Sequence, residues 1–175
     1  MEAPQRENFS ALQQEWRNKM APDRDAGLEI VAGWKSEGQK IVFTNGCFDL
    51  LHPGHLRSLM EARSMGDKLV LGLNSDASVR ALKGPARPVN PIEDRMKMLA
   101  ALSWVDLVIP FEESTPAELI QTVLPDVLVK GGDYEIGEIA GADAVLKSGG
   151  RVYTLGFAEG YSSSKLIEKI KAIDL

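Results

Sequence analysis

Five short apolar runs recur along the chain, and the first three are continuous rather than alternating. The runs span Ile41–Asn45, Lys68–Asn74, Val105–Pro110, Val127–Lys130 and Arg151–Leu155. Continuous runs of Val, Ile, Leu and Phe are typical of strands buried on both faces, as in a parallel sheet covered by helices. The pattern therefore predicts a five-stranded parallel sheet.

The segments between these runs have apolar residues at helical spacing. They predict helices over residues 55–66, 76–82, 90–104, from 115 onward, over 139–147 and over 164–173. Thr115 with Glu118 three residues later is typical of a capping box. Because strands and helices alternate, the predicted fold is α/β, a Rossmann-like doubly wound sheet with helices on both faces.

Two further helices are predicted before the first strand, over residues 10–20 and 27–35, with Ser10 and Gln13 as a capping box for the first. We interpret residues 1–38 as an N-terminal helical extension that packs on the domain or on a partner subunit. Residues 39–175 then form the main domain.

Length and charge narrow the functional classes. A chain of 175 residues suits one domain, and 20 Lys and Arg against 25 Asp and Glu give a net charge of -5. This balance lacks the basic face that nucleic-acid binding needs. The first residues do not resemble a signal peptide, and no apolar run approaches the roughly 20 residues that span a bilayer. We expect a cytoplasmic protein without nucleic-acid or membrane partners.

The most informative segment runs from Thr44 to His55, TNGCFDLLHPGH, and contains both histidines of the protein, His52 and His55. It follows the first strand and opens a helix, whose N-terminus favours phosphate through its free N–H groups and its dipole. Pro53 suits the first helical turn, and Gly54 lets a ligand approach the backbone. Two imidazoles can add donors to a phosphate that gains charge in a transition state.

Two other interpretations of this segment remain open from the residues alone. The histidines could be a capping and a core residue without chemistry. Alternatively, Cys47, Asp49, His52 and His55 supply ligand types that zinc accepts, although their spacing matches no zinc ribbon or finger.

Further polar motifs follow the later strands, where ligands of doubly wound sheets bind. Asn74 and Asp76 follow the second strand, and Lys83-Gly84 and Arg87 come next. The motif KGGDY follows the fourth strand, and its two glycines free the backbone for a nucleotide. The last helix is preceded by a serine triplet, 162–164, of which one caps the helix and the others can reach phosphate.

The HPGH element after TNGCFD resembles the HIGH signature of the nucleotidyltransferase superfamily, in its cytidylyltransferase-like branch. The other motifs occur in the same order, so the resemblance covers about residues 39–170. Within the superfamily the chain is most similar to the ADP-heptose synthase adenylyltransferases, in NGCFD, NSD, KG with RPVNP, LVKGGDY and EIAG.

This resemblance implies transfer of AMP from ATP to D-glycero-β-D-manno-heptose 1-phosphate, with release of pyrophosphate, for lipopolysaccharide synthesis. It also implies Mg²⁺ as cofactor and a homodimer. The catalytic residues would be His52, His55 and Lys83. The nucleotide would contact Thr44, Asn45, Gly46, Phe48, Asp49, Gly54, Arg95, Lys130, Gly131, Gly132, Asp133, Ser162, Ser163 and Ser164. The sugar phosphate would contact Asn74, Asp76, Lys83 and Arg87.

Some positions depart from the family pattern. Pro53 stands where a small residue is often found, the last motif reads GYSSSK, and Phe157 stands where glycerol-phosphate cytidylyltransferases carry an arginine. Asp49 is expected to orient a histidine or to bind Mg²⁺ through water. The alternatives are a cytidylyltransferase for glycerol 3-phosphate or phosphoethanolamine, and a nucleotide-binding module without activity.

Overall fold

A computed structural model describes residues 3–156 and 160–173. Its sheet has five parallel strands in the order β3-β2-β1-β4-β5. The strands are β1 Ile41–Gly46, β2 Lys68–Asn74, β3 Leu107–Phe111, β4 Val127–Gly131 and β5 Arg151–Leu155. All five predicted strands and the doubly wound α/β class are confirmed. The largest shift of a boundary is at β3, which begins two residues later than the apolar run.

The described ranges contain eight α-helices. These are α1 Ala3–Asn18, α2 Arg24–Ser36, α3 Pro53–Arg63, α4 Asp76–Lys83, α5 Ile92–Ala100, α6 Ala117–Val123, α7 Ala142–Lys147 and α8 Ser163–Lys171. A short 3₁₀ turn, Ile136–Glu138, precedes α7. None of these helices is long and apolar enough to cross a bilayer.

Two apolar layers cover the sheet, because every strand except the last is buried on both faces. Side chains of α2, α6 and α7, such as Val31, Ile120 and Val145, pack on one face. Side chains of α3 and α5, such as Leu59 and Leu99, pack on the other. The chain changes face after β3, so β1 and β4 are neighbours whose following connections leave on opposite sides. This switch point opens a crevice at their carboxyl ends.

The helices before residue 39 pack on this domain. Trp16 Nε1 of α1 donates to the Lys97 carbonyl of α5 at 3.0 Å. The segment after α1 pairs with the outer edge of β3, where Val108 N donates to Lys19 O at 2.8 Å and Ala21 N donates to Val108 O at 3.0 Å. This pairing covers an edge strand that would otherwise expose its backbone. The domain boundary at residue 38 stays a prediction.

Several predicted helix starts were wrong, among them those of α2 and α7, which begin at Arg24 and Ala142 rather than at residues 27 and 139. Ser10 lies inside α1, and α6 begins at Ala117 after an N-cap at Pro116, so neither predicted capping box caps its helix. The helix predicted from Asn90 begins at Ile92, with Pro91 as its N-cap, and ends at Ala100. The motif of a hydroxyl residue followed by Glu or Gln also occurs within helices and turns, so it does not by itself locate an N-terminus.

Candidate active site

A cavity of about 640 Å³ lies at the carboxyl ends of β1, β2, β4 and β5. The N-termini of α3 and α8 also line it. Most of the predicted site residues are brought together here: Thr44, Asn45, Gly46, Phe48, Asp49, His52, Gly54, His55, Asn74, Lys83, Arg87, Lys130, Gly131, Gly132, Ser162, Ser163 and Ser164. The switch point of the sheet is therefore the candidate active site.

The two histidines form a stacked pair at the start of α3. Their ring centroids are 3.8 Å apart with an interplanar angle of 22°. His52 is the N-cap residue of α3, and its side chain makes no capping hydrogen bond. The Nδ1 atoms of both rings are buried and have no hydrogen-bond partner. Neither imidazole is therefore used in capping or held by a protein acceptor, which does not fit the interpretation without chemistry.

Aromatic residues hold this pair in place. The Phe48 ring lies 5.3 Å from that of His55, and the Tyr161 ring lies 6.3 Å from that of His52. Phe48 has a φ of 44°, which is unusual for a residue other than glycine and is typical of functional turns. Gly54 makes the close packing feasible, because a Cβ there would lie 3.0 Å from His52 Nδ1 and 3.2 Å from Tyr161 Cβ.

Burial keeps both imidazoles neutral at neutral pH. It lowers the pKa of His55 to about 4, with a smaller contribution from the neighbouring His52. Burial also lowers the pKa of His52. A neutral imidazole has one N–H donor, and its position depends on the partner of the other nitrogen.

Three cationic side chains line the cavity around this pair. In the described part of the chain, Lys83 at the end of α4 has no hydrogen-bond or ion-pair partner. Lys130 Nζ donates to Asn45 Oδ1 at 3.3 Å and lies 5.7 Å from the Tyr134 ring centroid. Burial lowers the pKa of Lys130, Cys47 opposes this shift and Lys83 adds to it. Arg87 is the third cation. An acidic protein thus concentrates positive charge where an anionic ligand would bind.

Asp49 does not contact a histidine, contrary to one of its predicted roles. Its Oδ2 accepts from Arg87 Nε, and its Oδ1 accepts from Val89 N at 2.8 Å and Asn90 N at 2.9 Å. Burial alone would raise the pKa of Asp49, but these hydrogen bonds outweigh it and hold the pKa below its usual value. Both oxygens of the Asp49 carboxylate therefore accept hydrogen bonds from N–H donors of the loop before α5.

Arg95 was predicted to bind nucleotide, but it lies beneath the site and does not line the cavity. It is 1% exposed. Its guanidinium donates to Cys47 O at 2.7 Å, Asn74 O at 2.8 Å and Asn90 O at 3.0 Å. Its Nη2 also pairs with Asp76 Oδ1 at 2.6 Å. Four of the five guanidinium donors are thus used inside the protein.

This pair also explains why Asp76 lies outside the cavity lining, contrary to its predicted contact with the sugar phosphate. Asn74 does line the cavity, with its Nδ2 donating to Ser78 Oγ at 2.9 Å. Asp133 is exposed and does not line the cavity either. The chain turns at Gly132, whose φ is 117°, and this turn leaves Asp133 on the surface.

The serines before α8 have distinct roles. Ser162 is the N-cap, and its hydroxyl accepts from Lys165 N at 3.1 Å. The Ser163 hydroxyl donates to Leu50 O at 3.1 Å, which ties α8 to the turn after β1. One serine caps the helix, as predicted. Phe157, which precedes this loop, lies outside the described residues.

Several lining residues were not predicted. They come from the loop after β3, from the segment before α7 and from the motif before α8: Ser114, Thr115, Pro116, Tyr134, Glu138, Ile139, Ala140 and Tyr161. Tyr134 lies in the KGGDY motif and Glu138, Ile139 and Ala140 lie in the EIAG motif, both shared with the resembled family, and that was the available signal. No sequence motif indicated that the loop after β3 would line the cavity.

The described residues contain no group of three or more His, Cys, Asp or Glu side chains that could hold a metal ion. The zinc alternative named Cys47, Asp49 and both histidines as ligands. Asp49 is occupied by N–H donors, and the imidazole rings stack on each other. This geometry does not support a zinc site.

Comparison with known proteins shows the family of the chain. A family model described as cytidylyltransferase-like matches residues 43–169. The bifunctional protein HldE of Alkalilimnicola ehrlichii is 56% identical over 145 residues, which cover 83% of this chain and 30% of that protein. The bifunctional protein HldE of Chromohalobacter salexigens is 49% identical over 165 residues, which cover 94% of this chain and 35% of that protein. The chain thus spans about a third of the length of these relatives.

Two solved structures share the fold. The lipopolysaccharide core biosynthesis protein from Thermoplasma volcanium has a TM-score of 0.57 at 26% identity, covering 71% of this chain and 100% of that chain. Pantoate-beta-alanine ligase from Francisella tularensis has a TM-score of 0.58 at 15% identity, covering 88% of this chain and 78% of that chain.

The family model and the relatives support a nucleotidyltransferase, which here has a histidine pair at the switch point of its doubly wound sheet. The matched family model spans most of the domain, and the chain belongs to the cytidylyltransferase-like family.

Proposed function

We propose that the protein is an adenylyltransferase that transfers AMP from ATP to D-glycero-β-D-manno-heptose 1-phosphate, forming ADP-heptose and pyrophosphate. The choice of ATP and heptose is supported by the shared motifs NGCFD, RPVNP and LVKGGDY. The relatives named bifunctional protein HldE and the likeness to a lipopolysaccharide core biosynthesis protein agree with it. A homodimer in the cytoplasm remains part of this proposal.

The observation that carries the chemistry is the neutral, stacked histidine pair beside three cations in one cavity. Neither Nδ1 has an acceptor. An unpaired N–H donor is rarer in proteins than an under-used acceptor, so the proton of each ring belongs on Nε2. Each imidazole then offers one N–H donor to a ligand phosphate without adding a positive charge to the free enzyme.

The reaction needs no covalent enzyme intermediate. An oxygen of the sugar 1-phosphate attacks the α-phosphorus of ATP, the new P–O bond forms, and the bond to the β-phosphate oxygen breaks. The protein contributes position and charge stabilisation. His52 and His55 donate to the phosphate oxygens as charge builds up, and Lys83 and Lys130 neutralise the two anionic substrates that must approach each other.

Among the described residues, no cluster of His, Cys, Asp or Glu side chains could hold Mg²⁺ at this site. Asp49, which was the candidate for a water-mediated contact, has both carboxylate oxygens occupied by N–H donors. We propose that Mg²⁺ arrives on the phosphates of ATP, as part of the substrate, because it bridges phosphate oxygens and keeps most of its waters.

Pyrophosphate release tests the proposal. ATP and CTP are each supplied as the magnesium complex with heptose 1-phosphate, glycerol 3-phosphate or phosphoethanolamine. We expect release only with ATP and heptose 1-phosphate. Release with CTP would keep the mechanism but replace the proposed substrates. ATP binding without release in any mixture would indicate a nucleotide-binding module instead.

A further inference from the structure

The guanidinium group of Arg87 lies inside the cavity and is only partly hydrogen-bonded. Its Nε donates to Asp49 Oδ2, and its side chain is 14% exposed. In the described part of the chain, its two terminal nitrogens, Nη1 and Nη2, have no hydrogen-bond partner. A guanidinium has five N–H donors in a planar fork, so four donors remain for a ligand. This fork matches the geometry of a phosphate group.

Asp49 fixes the direction of this fork. Its carboxylate is 1% exposed and stands on the turn between β1 and α3. Oδ1 accepts from the backbone N–H groups of Val89 and Asn90, and Asn90 Nδ2 returns a bond to the Asp49 carbonyl at 2.7 Å. The loop that carries Arg87 is therefore anchored at three points, and only Oδ2 contacts the arginine itself.

The place of Arg87 in the sheet indicates which phosphate it meets. Arg87 follows β2 and α4, on the β2 side of the histidine pair, whereas Lys130 and the serines before α8 follow β4 and β5 on the other side. The family resemblance assigns Lys130 and the serines before α8, and therefore the β4 and β5 side, to the nucleotide. The phosphate of the acceptor substrate would then bind on the β2 side, where Arg87 lies.

We propose that Asp49 is a positioning residue that aims the Arg87 fork at the phosphate of the acceptor substrate. This inference rests on the proposed function for the identity of the acceptor. Asp49 contacts neither substrate itself. Its role is to hold Nε, so that Nη1 and Nη2 bind the acceptor phosphate before the attack on the α-phosphorus.

The substitution Asp49→Asn separates this role from the anchoring of the loop. Asparagine keeps Oδ1, which accepts from Val89 N and Asn90 N. It replaces Oδ2 with an NH₂ group, which cannot accept from Arg87 Nε. Arg87→Gln removes the fork itself. Hydrogen bonds to charged groups of this kind correspond to a change of about 10- to 100-fold in affinity.

Steady-state kinetics with both single variants and the double variant test the inference. We expect each single variant to raise the KM for the sugar phosphate by about 10- to 100-fold, with the KM for ATP nearly unchanged. In the double variant, Asp49→Asn should add almost nothing to the effect of Arg87→Gln, because it acts through Arg87. The inference would be overturned if the effects of the two substitutions multiplied in the double variant, or if only the KM for ATP rose.

Asp106→Asn is the matched control. Asp106 Oδ2 also forms an ion pair with an arginine Nε, that of Arg63 at 3.2 Å, and accepts a hydrogen bond from a backbone N–H, that of Leu69 at 2.8 Å. This pair lies at the amino end of β2, at the opposite edge of the sheet from the cavity. Its loss should leave both KM values unchanged.

Failure of the proposed function is recognised separately. If the wild-type protein uses another acceptor, the same variants are measured with that acceptor. If it releases no pyrophosphate at all, calorimetry with inorganic phosphate replaces kinetics. Weaker phosphate binding by Asp49→Asn and by Arg87→Gln, but not by Asp106→Asn, supports the inference. Equal binding by all four proteins overturns it.

Discussion

The imidazoles of His52 and His55 stack with their centroids 3.8 Å apart, at the N-cap and the first turn of α3. Two protonated rings at this distance would repel each other, and burial already disfavours the charge on each. The pair therefore holds neutral rings next to the positive end of a helix dipole. This state is suited to donating hydrogen bonds to phosphate, and it makes the folded protein sensitive to acid.

The first prediction concerns stability in acid. The pKa of His55 is about 4 in the folded state, against 6.5 for the ordinary group. The unfolded chain therefore binds the proton more tightly, and stability falls as the pH falls from about 6.5 towards 4. By this linkage, His55 alone should lower the free energy of unfolding by about 2 kcal/mol between pH 8 and pH 5.

Urea unfolding of the wild type and of His55→Gln at both pH values measures this effect. Glutamine does not titrate, so the variant should lose about 2 kcal/mol less than the wild type between the two pH values. Carboxylates contribute equally to the pH dependence of stability in both proteins, so their contribution cancels in the difference. The same loss in both proteins would show that His55 does not carry a depressed pKa.

The second prediction concerns the role of His55 in turnover. His55→Ala should lower kcat by about 10² or more, judging from the loss of one donor to a developing negative charge. Steady-state pyrophosphate release measures it. The variant should keep its affinity for ATP in calorimetry, since the donor acts most strongly in the transition state. Near-normal turnover would contradict the assigned role.

Much of the fold could be predicted because its signals are local. β2 was predicted with the residues it has in the structure, since a continuous apolar run between polar turns is characteristic of a buried parallel strand. The bounds of β5 were also predicted correctly, although only Val152 and Leu155 of this strand are buried. The start of α6 could not be predicted from Thr115 and Glu118. Capping depends on the approach direction of the preceding chain, and here Pro116 occupies the N-cap position without a side-chain bond.

The site could be predicted where motif and strand end coincide, as at the histidine pair and at Lys130. It could not be predicted for Arg95 and Asp76, which pair with each other outside the cavity lining, nor could the contacts of Asp49 with Arg87 and the backbone. A sequence shows that a charged residue lies near a strand end, but not whether it faces the cavity or the layer beneath. That difference is decided by tertiary contacts, such as those of Arg95 with the carbonyls of Cys47 and Asn74.

The third prediction concerns this buried arginine. Arg95→Met should destabilise the protein by about 3–5 kcal/mol, because it leaves Asp76 and three carbonyl groups without their donor. Urea unfolding measures the loss. Lys97→Ala is the control on the same helix, since its pair with Asp94 at 3.0 Å has side chains about half exposed. Such a pair contributes about 0.2–1 kcal/mol. Similar losses of stability in both variants would show that the buried contacts of Arg95 stabilise the fold no more than an exposed ion pair does.

The fourth prediction concerns Gly54, whose missing side chain leaves room for the His52 ring. A Cβ at this position would lie 3.0 Å from His52 Nδ1 and 3.2 Å from its Cε1, with Tyr161 Cβ at 3.2 Å on the other side. These contacts are tight but can relax by a small shift of the ring. Gly54→Ala should therefore leave the fold intact and displace His52. A displacement of about 1 Å can lower kcat by about 10².

Gly33→Ala is the matched control, because Gly33 lies within α2 and a Cβ there would meet no atom within 4 Å. We expect that variant to gain about 0.5–1 kcal/mol of stability, as alanine does in a helix, with unchanged kcat. Thermal unfolding and pyrophosphate release on both variants separate the two effects. If Gly54→Ala retained full kcat, the position of the His52 ring would not limit turnover. If Gly54→Ala lost stability as well as kcat, Gly54 would be required for packing rather than for the position of the His52 ring.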